Sequence, residues 1–168
     1  MDPVGFVLLL FAGFGWGKPV QINPRNFNRT VTMSAGEAIV SIAGPAMNFI
    51  LAFLLTLIDG LILKFAGEAF FVATSGIVIL TMLQSAIIMN IGLGVFNLIP
   101  LPPLDGSKIF IRFMPYNVRN WIYDHEMWFY MAFLVLWITN LSSIIITPIM
   151  TGIYQGIVTV VKLLLSWF

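Results

Sequence analysis

Asp105 stands in the stretch FNLIPLPPLDGSKIF, residues 96–110, as a single carboxylate in a proline-broken turn between two apolar runs. A carboxylate can accept from a basic side chain, cap a helix or ligate a cation, and at membrane depth it is costly unless something binds it. Pro100, Pro102 and Pro103 remove three backbone donors and stop a helix arriving from the N-terminal side. This predicts an extended strip with exposed carbonyls from Pro100 to Leu104, tolerable in a membrane only where protein or a water-filled cavity covers it. Helical character resumes over Ser107 to Phe113, so Asp105 has two readings. It is the N-cap of that helix, a role Asp fills well, or it is one of the three protein ligands that a catalytic zinc requires.

Other polar residues fall inside apolar runs at helical spacing. Gly44, Asn48 and Ala52 recur every four residues, and Pro45 removes a donor from the same helix, which predicts a kink there. Asn90, Gly94 and Asn97 form a second stripe at i, i+4 and i+7. Both stripes suit close helix contact, with the Asn amides as interhelical hydrogen-bond partners. Soft metal donors are scarce, since the chain has one His and no Cys, which excludes disulfides and thiolate sites. His125 lies between Asp124 and Glu126 and reads as an interfacial loop residue.

The elements that must position these residues follow from composition. With 60% hydrophobic residues, 9% charged residues and a mean hydropathy of +0.99, the chain cannot cover a soluble globule with polar surface. It reads as an all-α polytopic membrane protein whose partner is the lipid bilayer. The net charge of +1 provides no basic stripe for phosphates, which argues against nucleic acid. Met1-Asp2-Pro3 has no positive n-region, so no signal peptide is expected.

The chain reads as one membrane domain over 1–168. Residues 1–14 form a short apolar segment, about half the ~20 residues that cross a bilayer. Residues 15–33 are polar and proline-containing and read as a loop. Ser34 and Glu37 have capping-box spacing ahead of a first span over 35–63. A second span covers 70–98, and residues 99–126 hold the re-entrant-like turn and an interfacial segment. A third span covers 127–147, and 149–168 is either a fourth span or a helix lying in the interface, with Lys162 able to snorkel in both placements. The fold class is thus a bundle of three to four transmembrane helices. Lys18, Arg25 and Arg29 precede the first span and Lys108, Arg112 and Arg119 follow the second, so six of the eight Lys and Arg share a face. The positive-inside tendency makes that face, with the Asp105 turn, the cytoplasmic side of the cell membrane.

Three separated signatures then occur in order: Gly15-Trp16-Gly17-Lys18-Pro19-Val20 with Asn23-Pro24, Ala43-Gly44-Pro45-Ala46-Met47-Asn48, and Phe96 to Gly106. Together they resemble the bacterial branch of the site-2 protease family, intramembrane zinc metalloproteases, over most of the chain up to about Arg119. The resemblance implies that Asp105, in the Leu-Asp-Gly element with Gly106, is the third zinc ligand. It also implies that Asn97 and Asn48, the latter following Gly44-Pro45, lie close to the active site. The substrate implied is a transmembrane helix of another membrane protein, which must unwind because helical carbonyls are already hydrogen-bonded. An extended substrate would then dock on Pro100 to Leu104 by strand addition.

One departure is large. The family's H-E-x-x-H helix brings two His at i and i+4 to one metal, with the Glu as general base. Here His125-Glu126 is followed by Phe at position 129, and it stands on the wrong side of the Leu-Asp-Gly element. The implied zinc cofactor therefore needs His ligands from elsewhere, and the chain reads as a protease lacking its N-terminal part. Two other classes fit the same residues: a non-catalytic membrane substrate-binding module, and a small transporter or channel with Asp105, Asn97 and Asn48 lining a polar path.

Overall fold

The computed structural model describes residues 32–102, 104–139 and 141–166, and Ser34–Phe168 forms one compact unit. The expected apolar segment over 1–14, the loop that follows it to residue 31 with its Trp16 and Asn23 signatures, Lys18, Arg25, Arg29 and Pro103 lie outside the described residues. Among those described, every regular element is helical. The helices are α1 (Met33–Phe65), α2 (Glu68–Val72), α3 (Thr74–Asn97), α4 (Asp105–Arg112), α5 (Tyr116–Asp124), α6 (Glu126–Ile138) and α7 (Leu141–Ser166).

Three of these are long and apolar enough to cross a membrane: Ala35–Phe65, Thr74–Asn97 and Ser143–Ser166. At ~1.5 Å per residue each exceeds the ~30 Å hydrocarbon thickness. Their outward faces carry exposed Ile50, Leu54, Ile58, Ile79, Ile88 and Leu164. An uncovered apolar surface of this extent calls for lipid as its solvent. The chain is an all-α, multi-pass membrane protein.

The C-terminal spans divide differently from the expected 127–147 and 149–168. α6 stops after 13 residues, and at Thr139 the hydroxyl donates to the Val135 carbonyl at 2.7 Å. α7 then starts at Leu141 and runs through Pro148 as a single 26-residue helix. Thr147-Pro148 reads as a break, yet in hydrocarbon an interrupted chain would expose more backbone than the one carbonyl a proline orphans, so the helix continues. Ser34 is likewise not an N-cap: α1 begins at Met33, which puts Ser34 inside the helix. The proline expected to disturb α1, Pro45, is fully buried within a helix that continues across it.

α3 is the central helix. Ile87, Ile91 and Val95, four residues apart, form one buried stripe with Ala52 of α1, and Phe49, Leu55, Ile146, Met150, Ile153 and Ile157 close around it. Two glycines set how closely its neighbours approach. A β-carbon on Gly94 would stand 2.8 Å from the Phe49 ring of α1, and one on Gly92 would stand 3.2 Å from the Met150 methyl of α7. Two residues along a helix is about 200° of rotation, so these contacts lie on opposite sides of α3 and seat it between α1 and α7. At the other end Gly60 faces Val161 and Leu165, and the Lys64 ammonium donates to the Leu165 carbonyl. α1 and α7 are therefore parallel, with α3 antiparallel between them.

Gly94→Val is expected to destabilise the bundle by about 1–3 kcal/mol, because Phe49 must leave its rotamer or the helices must separate. Adding Phe49→Leu should recover a large part of that loss. Thermal unfolding of the single and double variants in detergent checks the coupling.

Candidate functional site

α3 ends because Ile99 is followed by Pro100. Its last turn tightens, with Leu98 N–H donating to Val95 and Ile99 N–H to Phe96, both at 3.1 Å. The expected extended strip is instead a run of turns: Leu101 N–H donates to the Ile99 carbonyl at 2.8 Å and Leu104 N–H to the Leu101 carbonyl at 2.9 Å. Prolines have no N–H and both of these donors are taken, so Pro100 to Leu104 cannot supply the alternating donors and acceptors of a strand ladder. Strand addition at this strip is thereby excluded in this conformation.

Asp105 is the first residue of α4. The preceding Leu104, with extended backbone at φ −75° and ψ 154°, takes the cap position without a side-chain cap bond. The N-cap reading of Asp105 therefore does not hold. Its carboxylate sits beside the partial positive charge of the helix N-terminus and accepts from the Lys108 ammonium at 3.1 Å, with 41% and 51% of the two side chains exposed. Exposed pairs at this spacing contribute about 0.3–0.5 kcal/mol, so a divalent cation could displace the lysine at little cost. The D-G-S-K spacing was readable as such a pair in the sequence, but the choice between capping and pairing depends on where α4 starts.

Gly106 fixes this geometry. A β-carbon there would lie 2.5 Å from the Ile99 carbonyl oxygen and closer still to that of Leu98, so only glycine lets α4 press against the end of α3. The contact is backbone to backbone and joins the residues next to Asn97 to the residue next to Asp105. Asn97, the last residue of α3, is half-buried, as is Asn48, whose neighbour Phe49 packs on Gly94 three residues before Asn97. Asn48, Asn97 and Asp105 thus belong to the same end of the bundle. Asn90 is self-satisfied, its amide donating to the Ala86 carbonyl at 2.8 Å. The stripe of Gly44, Asn48 and Ala52 is not a seam along its whole length. Ala52 is completely buried, whereas Gly44 is exposed with open space around it, one turn before the α3 contact begins.

Two cavities flank α4. One, of about 280 Å³, is lined by Glu37 of α1, Lys108 and Arg112 of α4, and Arg119, Asn120 and Tyr123 of α5. The sequence reading placed Glu37 in a capping box; its position among three cations became visible only when α1, α4 and α5 came together. The other, of about 260 Å³, is lined by Pro102, Ser107, Lys108, Glu126 and Tyr130 among others. Ser107 is buried, and its hydroxyl donates to the Leu104 carbonyl at 2.7 Å, closing the turn onto α4. His125 ends α5, stacked on Trp121 with ring centroids 4.6 Å apart and its Nδ1 bonded to the Trp121 carbonyl at 2.8 Å. Among the described residues no three His, Cys, Asp or Glu side chains converge to hold a metal. Asp105 is one donor, and a zinc site needs two more.

The model of peptidase family M50 matches residues 26–139, which take in Gly44, Pro45, Asn48, Asn97, Asp105 and Gly106. A Bacillus subtilis protein named "Putative zinc metalloprotease YwhC" is 36% identical over 152 residues, covering 90% of this chain and 67% of its own length. "Putative zinc metalloprotease Rip2" of Mycolicibacterium smegmatis is 33% identical over 140 residues, covering 83% of this chain and 49% of its own. This chain therefore spans about two thirds of one relative and about half of the other. No solved structure matches it.

Gly106→Ala is expected to displace α4 and to destabilise the protein by about 1–3 kcal/mol, since the obstructing atoms are main-chain carbonyls that cannot rotate away. Gly44→Ala should be neutral or stabilise by up to about 1 kcal/mol through helix propensity. Parallel thermal unfolding of the two variants checks the contrast.

Proposed function

This chain belongs to peptidase family M50, and from that premise we propose that it is the substrate-facing part of a membrane-embedded zinc metalloprotease that cleaves transmembrane segments of other membrane proteins. One observation carries the reading. Asp105 lies inside the span that matches the family, paired with exposed Lys108 and not serving as a helix cap, held by main-chain packing at the end of a central transmembrane helix.

Zinc is the cofactor named in the relatives. The described residues do not by themselves fit it, and the sequence has a single His, so two donors of an H-E-x-x-H element would have to come from polypeptide outside this sequence. In that assembly Asp105 would be the ligand this chain supplies, in place of its pair with Lys108. Asn48 and Asn97 place two amides, each both donor and acceptor, near that carboxylate's end of the bundle. A substrate helix loses internal hydrogen bonds when it unwinds, and such amides are suitable replacement partners for its freed backbone groups. Lys108, Arg112 and Arg119 lie at the same end, and the positive-inside tendency assigns it to the cytoplasmic face of the cell membrane. The competing reading is a membrane module that binds such helices without cutting them.

The test starts from the native polypeptide, isolated from membranes, with its N-terminus determined by mass spectrometry and its zinc content measured. A longer chain that carries H-E-x-x-H should retain one zinc, and Asp105→Asn should weaken that binding by more than about 100-fold, beyond what loss of an outer partner of a ligand costs. Lys108→Gln should leave it unchanged or tighter. A native chain without zinc, or an Asp105→Asn variant that keeps it, would transfer the protein to the binding-module class.

A further inference from the structure

The end of the bundle remote from Asp105 contains a second polar site. Asp59 of α1 is 7% exposed, and its Oδ1 accepts no hydrogen bond. It lines a cavity of about 520 Å³ together with Thr56, Lys64, Gln84, Tyr154 and Lys162. The nearest neutral donor on its own helix is committed elsewhere, since the Thr56 hydroxyl donates to the Ala52 carbonyl at 2.8 Å. The Lys64 ammonium donates to the Leu165 carbonyl, which occupies one of its three N–H groups. Lys162 is exposed, and the only ion pair among the described residues is Asp105–Lys108. A buried acceptor without a donor is expensive in a low-dielectric setting, so the cavity calls for an occupant that brings an N–H or O–H.

Size and charge narrow that occupant. One water accounts for about 30 Å³ of liquid, and small-molecule pockets run from about 300 to 1,000 Å³, so the space suits a molecule and not a lone ion. The cavity combines one buried carboxylate with two lysines, which matches a zwitterion carrying an ammonium and a phosphate. Leu63, Val158, Val161 and Leu165 supply apolar wall beside these charges. Position completes the case: along α1 the cavity runs from Thr56 to Lys64, the residue before the helix ends, and along α7 from Tyr154 to Ser166, its last residue, so it extends from inside the bundle to the ends of two spans, where lipid headgroups lie.

We propose that this cavity binds an aminophospholipid, its primary ammonium donating to Asp59 and its phosphate accepting from Lys64 and Lys162, with the acyl chains lying along α7. A quaternary ammonium has no N–H to give, so the site separates ethanolamine from choline headgroups by hydrogen bonding at the Asp59 carboxylate. The inference stands apart from the metalloprotease reading and involves none of the residues near Asp105.

The protein is reconstituted in nanodiscs containing phosphatidylethanolamine, its N-methyl and N,N-dimethyl derivatives, phosphatidylcholine or phosphatidylglycerol, and lipid retained after transfer to detergent is counted by native mass spectrometry. Retention of phosphatidylethanolamine should exceed that of phosphatidylcholine by about tenfold, the worth of one charge-assisted hydrogen bond, and the preference should persist in the N-methyl and N,N-dimethyl derivatives, which keep an N–H, and be lost at the third methyl group. Asp59→Asn should bring phosphatidylethanolamine down to the phosphatidylcholine level. Lys64→Gln combined with Lys162→Gln should weaken retention of both lipids while preserving their order. Equal retention of the two by the unmodified protein would overturn the proposal without any variant having to fold. So would an Asp59→Asn protein that keeps the preference.

Discussion

The contact on which the Asp105 end of the molecule depends is between two stretches of main chain. Gly106 lies against the carbonyls that close α3, and neither side of that contact has a side chain that could yield. Backbone in a bilayer must satisfy its own polar groups or be covered by protein, and here the covering helix begins at the residue before the glycine. The tight turns from Leu98 to Leu104 use their own donors, and the Ser107 hydroxyl takes up the Leu104 carbonyl. The proline run can thus sit beside a transmembrane helix without a partner strand. Asp105 inherits its place from this arrangement. Its charge is held at the start of α4 by main-chain geometry and not by the weak pair it forms with Lys108.

The same bundle separates its two carboxylate sites electrically. Around α4 the carboxylates Asp105 and Glu37 sit among Lys108, Arg112 and Arg119 in an open, partly solvated setting. At the far end one buried carboxylate faces a cavity with two lysines. About 33 Å of apolar helix lies between the two ends, and exposed charges at each end are screened by the salt solution on their own side, so they have little influence on those at the other.

Composition and hydropathy made the helical membrane class legible, because exclusion of charge over stretches of this length leaves few alternatives. The Leu-Asp-Gly element was legible too, since an isolated carboxylate between prolines is conspicuous in an apolar chain. Less legible were features that depend on neighbours distant in sequence. Gly92 and Gly94 look alike in the sequence, yet one receives Met150 and the other Phe49. Gly44, which shares a stripe with Ala52, has no neighbour to receive among the described residues. The division at Thr139 was misplaced because Pro148 is the stronger breaker by local rules, while the cost of opening a helix in lipid overrides those rules. Asp59 lies four residues before the end of the span predicted over 35–63, and its burial depends on the approach of α7 to the neighbouring Gly60, a contact some hundred residues away in sequence.

The brevity of α6 has a consequence for the course of the chain. Its 13 residues reach about 20 Å, short of the ~30 Å of hydrocarbon, and it is not among the helices long enough to cross. α7 begins three residues after α6 ends and runs parallel to α1, so it starts at the Asp105 end, where α6 also begins beside Pro102 and Ser107. α6 therefore returns to the side it left, held beside the last turn of α3 by Phe133 against Phe96, ring centroids 5.8 Å apart. The three crossings among the described residues are an odd number, and so the end of α7, with Lys162, lies across the membrane from Asp105.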